Sequence, residues 1–204
     1  MKTEGKAGQE NNAWVIDEAG WCSDIARSDC SNVDARPDGT EISLLVIHNI
    51  SLPPNEYGGH FVEDLFANRL DCDAHPYFDQ LRGLKVSAHF FIRRDGSVVQ
   101  FVPTTERAWH AGLSNFKGRE RCNDFSIGIE LEGDGESPFE EVQYQALTSL
   151  VEQLTSTHPN LQFAGHSDIA PNRKTDPGIY FDWQKFQKAT GIPLEKMPFG
   201  VISR

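Results

Sequence analysis

The sequence predicts a mixed α/β fold: a single domain in which a central mixed β-sheet is flanked by helices. Three observations predict it. Short apolar, β-branched runs alternate along the chain with stretches of helical period. An Asp-Gly pair separates two of the strand-like runs, which places an antiparallel hairpin within that alternation. The length of 204 residues, with 38% hydrophobic and 24% charged residues, suits one folded domain with a real core.

Residues 1–13 are polar and read as a flexible tail, with the domain itself expected over residues 14–204. From Ala13 to Thr40 there is little regular period, and Gly20, Pro37 and Gly39 punctuate it, so this segment reads as loop-rich. Glu41 to Asn49 then forms an apolar run that fits a strand covered on both faces. Gly58 to Leu70 contains a helix with Phe61, Leu65 and Phe66 on one side. Lys85–Arg94 and Ser97–Pro103 are strands joined by Asp95-Gly96, where glycine tolerates the positive φ of a tight turn. Asp124 to Glu132 is another strand.

The clearest helix starts at Ser137, with Ser137 as N-cap, Pro138 at the first helical position and the Glu140 carboxylate three residues after the cap. Val142, Ala146, Leu147, Leu150, Val151 and Leu154 follow at helical spacing. The helix ends near His158-Pro159, since a residue before proline avoids the α region. A short strand from Leu161 to Ala164 leads into Gly165-His166, and a last helix from Asp182 to Ala189 stops at Gly191.

The formal net charge of -11 opposes general affinity for nucleic acid or anionic membranes, which carry the same sign. No apolar stretch approaches the roughly 20 residues of a membrane span. Met1 to Asn12 lacks the apolar middle of a secretory signal, so a cytoplasmic location is expected. Cys22, Cys30, Cys72 and Cys122 are too far apart for a Cys-x-x-Cys site and are expected as reduced, inert thiols; a Cys22–Cys30 pair stays open for an exported protein.

Several polar residues stand where chemistry is plausible. His48 and His166 each end an apolar strand, and Asp176 lies in a polar loop ten residues after His166. A catalytic zinc site needs three nitrogen or oxygen ligands and an open position for water, which two histidines and an aspartate supply. Spacing alone leaves open that His48 is an ordinary strand-end histidine. Glu130 interrupts Ile127-Gly128-Ile129-Glu130-Leu131, so its carboxylate either faces solvent or lies in a cleft. Lys174 sits in a loop two residues before Asp176, where a lysine is ordinarily solvated surface charge.

Long strings carry a resemblance. Val-Ile-His-Asn-Ile-Ser-Leu-Pro-Pro (46–54), Val-Ser-Ala-His (86–89), Ile-Arg-Arg-Asp-Gly (92–96), Ala-Trp-His-Ala-Gly (108–112), the run from Gly118 to Gly133 and Gly-His-Ser-Asp-Ile-Ala-Pro-Asn-Arg-Lys-Thr-Asp-Pro-Gly (165–178) closely resemble the AmpD-type amidases. Those are bacterial 1,6-anhydro-N-acetylmuramoyl-L-alanine amidases of peptidoglycan recycling, within a wider group of zinc amidases and peptidoglycan recognition proteins. The resemblance runs in order from about Trp14 to Phe186.

The resemblance implies a zinc site in a groove at the strand ends, with His48, His166 and Asp176 as ligands, Glu130 as acid/base and Lys174 stabilising the transition state. It implies substrate contacts at Asn49, Lys85, Ala108 and Arg121, where Lys85 stands in for a more usual arginine. His60-Phe61 departs from the usual aromatic pattern. Trp109 and His110 are candidates for the groove wall, and His89 for a structural role. The expected substrate is a small anhydro-muropeptide and the expected state a monomer. The rival readings are an exported or phage-type amidase acting on intact wall, and a binding module without catalysis. Retention of all three ligands with Glu130 and Lys174 opposes the binding module.

Overall fold

The computed structural model describes residues 14–201, so the tail expected over residues 1–13 lies outside the described residues. In chain order the strands are β1 (Ala26–Arg27), β2 (Val33–Asp34), β3 (Leu44–Ile50), β4 (Phe90–Ile92), β5 (Val98–Gln100), β6 (Arg107–Ala108), β7 (Asn115–Phe116), β8 (Arg119–Glu120), β9 (Ser126–Glu132) and β10 (Gln162–Gly165). The helices are α1 (Phe61–Phe66), α2 (Glu141–Thr157), α3 (His166–Ile169) and α4 (Trp183–Thr190). The central sheet has the order β1-β5-β4-β9-β3-β10. Only β4 and β5 pair antiparallel within it; its other neighbours are parallel, which makes the mixed sheet the sequence predicts.

The two faces of this sheet are covered differently. Leu45, Ile47, Phe90, Ile92, Ile127, Ile129 and Leu131 pack in one cluster with Leu147, Leu150, Val151 and Leu154 of α2 and with Trp183 and Phe186 of α4. On the opposite face, Leu44, Val46 and Ala164 pack with Ala111, Phe116, Cys122 and Phe125. Farther along that face, Phe91 packs with Leu65 and Phe66 of α1. That second face carries the polar residues of the site.

The hairpin at Asp95-Gly96 forms as expected: Gly96 takes φ +82°, and Asp95 Oδ1 accepts the Ser97 amide at 2.9 Å. Its first strand is shorter than expected: regular pairing begins at Phe90, and before it His89 keeps single backbone bonds to Gly128 and Phe101 together with a side-chain bond to the Gly128 amide. Helix α2 starts later than expected. Asp134 takes the Ser137 amide at 2.8 Å and the Ser137 hydroxyl at 3.1 Å, so the serine is committed to a turn. Glu140 caps the helix in its place, and Gln143 reaches back to the Glu140 amide at 3.0 Å. That later start turns Val142 to solvent and buries Gln143 and Tyr144. In α1 the inward residues are Val62, Leu65 and Phe66, while Phe61 is only half-buried against Phe78. Helix α2 ends at Thr157 before His158-Pro159, and α4 ends at Gly191 with φ +65°, both as expected.

The segment read as loop is not all loop. It supplies the edge strand β1, β2, and the half-buried Arg36. The Arg36 guanidinium donates to the carbonyls of Thr104, Asn123, Asp124 and Ser126 at 2.9–3.2 Å. Burial pulls its pKa down only to about 10, so it stays charged at neutral pH.

Candidate metal centre

Parallel pairing builds the site. β3 and β9 set His48 opposite Glu130, on the same face of the sheet. β3 and β10 set Ile47 opposite Gly165, and the next residue, His166, opens α3 beside His48. The chain carrying Asp176 is tied to these elements twice: the Ser167 amide donates to the Asp176 carbonyl at 2.9 Å, and Asn49 Nδ2 donates to the Pro177 carbonyl at 2.8 Å. The three expected ligands therefore meet. His48 Nδ1 lies 3.0 Å from His166 Nδ1 and 2.9 Å from Asp176 Oδ2, and His166 Nδ1 lies 3.0 Å from the same oxygen.

Hydrogen-bond logic assigns the protons. His166 Nε2 sits 3.2 Å from the Ala111 carbonyl, which can only accept, so Nε2 carries the hydrogen and Nδ1 of the neutral ring carries a lone pair. That lone pair faces the Asp176 carboxylate, an acceptor facing an acceptor. Burial pushes the His48 imidazole down to about 4, so that ring is neutral at physiological pH. A cation at the centre of the three atoms removes the conflict. Two imidazole nitrogens and one carboxylate oxygen fit zinc with one position left open.

Glu130 is 9% exposed, and its Oε2 has no hydrogen-bond partner among the described residues. Burial, reinforced by the Asp176 carboxylate, pushes its carboxyl well above the usual carboxylate range, while Lys174 opposes the shift. A groove of about 320 Å³ opens over these groups. Asn49, His110, Glu130, His166, Lys174 and Asp176 line its polar side, and Leu52, Leu65, Phe66, Leu84 and Val86 line an apolar side.

Of the expected substrate contacts, the groove brings in Asn49. Lys85 is exposed beside a separate depression with Leu70 and Cys72. Ala108 is fully buried in β6. Arg121 is exposed and pairs with Asp124 at 3.1 Å. None of these three lines the groove. Trp109 turns away and donates from Nε1 to Asp34 at 3.1 Å. His60 is 74% exposed and paired with Asp64. His89 has the structural role expected, accepting the Gly128 amide at Nδ1 from 3.0 Å. The apolar wall went unpredicted, because Leu65 and Phe66 read only as the apolar side of a helix.

Comparison with known proteins agrees with this geometry. Residues 38–179 match the N-acetylmuramoyl-L-alanine amidase family. The 1,6-anhydro-N-acetylmuramyl-L-alanine amidase AmpD of Salmonella typhimurium strain SL1344 is 48% identical over 184 residues, covering 89% of this chain and 98% of the relative. A crystal structure of a Se-Met AmpD derivative is similar with a TM-score of 0.83 and 50% identity, over 84% of this chain and 97% of that one. The amidase AmiD from E. coli, in complex with the substrate anhydro-N-acetylmuramic acid-L-Ala-D-gamma-Glu-L-Lys, is similar with a TM-score of 0.54 and 30% identity, over 88% of this chain and 66% of that one.

Proposed function

The chain belongs to the N-acetylmuramoyl-L-alanine amidase family, and we propose that it is a zinc-dependent hydrolase of anhydro-muropeptides, cleaving the amide between the lactyl group of 1,6-anhydro-N-acetylmuramic acid and L-alanine. The observation that carries this reading is the convergence of His48, His166 and Asp176 beside the partnerless oxygen of Glu130, in one groove. The reading includes action in the cytoplasm as a monomer, and the four free cysteines support a reducing compartment. Among the described residues no helix is long and apolar enough to cross a membrane.

Bound by His48, His166 and Asp176, zinc would act as a Lewis acid that polarises the scissile carbonyl and lets water lose a proton near neutral pH. The protein's own groups do the rest. Glu130 takes the proton from the attacking water as the C–O bond forms. As the C–N bond breaks, the same carboxyl returns that proton to the leaving alanine nitrogen. The raised affinity of Glu130 for a proton suits both steps. Negative charge gathers on the former carbonyl oxygen, and the Lys174 ammonium at the groove wall stabilises it, a donor of a kind typically worth roughly 3–4 kcal/mol of barrier. Asn49 supports a substrate contact from the groove floor.

The test is incubation of zinc-loaded protein with anhydro-muropeptide and, separately, with intact sacculi, with products read by mass spectrometry and a chelator control. Free peptide from the anhydro substrate, lost on chelation, is the expected result. Cleavage of sacculi instead would assign the protein to wall lysis, and cleavage of neither would leave a binding module.

A further inference from the structure

Both candidate zinc histidines are held from behind by adjacent residues of one loop. His48 Nε2 lies 2.9 Å from His110 Nδ1, and His166 Nε2 lies 3.2 Å from the Ala111 carbonyl. With a cation on His48 Nδ1, its Nε2 carries the hydrogen and His110 Nδ1 accepts it. His110 Nε2 then donates to Ser126 Oγ at 3.0 Å. The two backbone amides of this loop segment share one acceptor: Asn123 Oδ1 takes the His110 amide at 3.1 Å and the Ala111 amide at 2.7 Å.

The sheet is shaped to admit this arrangement. A Cβ at Gly128 would come 2.5 Å from His110 Cγ, so only glycine lets the imidazole lie on β9. His110 packs edge-on against His48 and His89, and only 8% of it is exposed, where it lines the groove.

We propose that the His110–Ala111 segment, fixed by the Asn123 carboxamide, is the positioning element that orients both zinc-binding imidazoles. This rests on the zinc reading above. Neither His110 nor Asn123 supplies a ligand atom. Each acts through His48 and His166, as outer partners of metal-bound histidines generally do, and loss of such a partner typically weakens metal binding by about 10–100-fold.

Two matched pairs of variants test it by zinc affinity, measured by competition against a chelator, with metal-free thermal unfolding as the folding control. His110→Asn keeps an acceptor near Nδ1, whereas His110→Leu has nearly the same shape and no acceptor. Asn123→Asp and Asn123→Leu form the second pair, at a half-buried position that tolerates substitution more readily. The expected result is that both leucine variants bind zinc about 10–100-fold more weakly, while the acceptor-bearing variants stay within about threefold of wild type. Leucine variants with wild-type affinity would overturn the proposal. So would acceptor-bearing variants that lose as much as the leucines, because that pattern means packing rather than orientation. A wild type that binds no zinc would instead sink the zinc reading on which the proposal stands.

Discussion

Strand β9 has two faces that are equally buried and unlike in every other respect. Ile127, Ile129 and Leu131 point to α2 and α4, and Ser126, Gly128 and Glu130 point to the site. The apolar face is held by contacts that many atoms share, so one can be lost without misplacing the rest. The polar face is held by single contacts. Ser126 serves His110, Gly128 makes room for it, and Glu130 keeps one oxygen without a partner. One sheet thus separates stability from chemistry by alternation along a strand.

Substitutions on the two faces should therefore fail in different ways. The largest effect is expected from Glu130→Gln, which should cut kcat by roughly 10²–10⁴-fold with zinc affinity and fold intact, read by turnover and chelator competition. Turnover near wild type would remove Glu130 from the chemistry. On the other face, Leu150→Ala should cost about 2–5 kcal/mol of stability in denaturant unfolding while the folded fraction keeps its kcat. Loss of zinc affinity in that variant would blur the separation of the faces. Lys174→Ala at the groove wall should lower kcat by roughly 10²–10³-fold without a change in unfolding midpoint.

Gly128→Ala tests the polar face by shape alone. The added Cβ collides with the His110 ring, and a cost of about 1–3 kcal/mol is expected together with weaker zinc binding. A smaller signal lies in pH. The folded Glu130 carboxyl titrates well above its unfolded value of about 4.3. Its contribution to the metal-free protein is present below that unfolded value and is lost as pH rises through the folded one. Metal-free wild type should therefore lose stability relative to Glu130→Gln as pH rises, measured as the difference in Tm. A flat difference would show that Glu130 is not held in a desolvated site.

Where the sequence was readable, one dominant local cause was at work. Apolar β-branched runs gave β3 and β9, Asp-Gly gave the hairpin, and His158-Pro159 ended α2. Where it was not, a competing partner decided the outcome. Asp134 took Ser137 away from the helix cap. The two-residue strands β1 and β2 are too short to show a period at all. In β9, the pattern Ser-Ile-Gly-Ile-Glu reads equally well as one wet face or as a polar buried face. The covering loop that decides between them comes from residues 108–125, on neither strand. The long matching strings carried the ligand set and Glu130, but convergence in space came only from the parallel register. His110 does line the groove, but nothing local in the sequence showed that it also backs His48.

Arg36 lies just upstream of residues 38–179, the stretch matched to the amidase family. A chain trimmed to that stretch would retain His48, Glu130, His166, Lys174 and Asp176, yet lose the cation that gathers the carbonyls of Thr104, Asn123, Asp124 and Ser126. Two of those carbonyls belong to Asn123 and Ser126, whose side chains reach the loop behind the histidines. A lysine could not take its place, since a single ammonium lacks the planar fork that serves several acceptors at once. The portable unit of this hydrolase is therefore longer than residues 38–179, and its upstream boundary lies before Arg36.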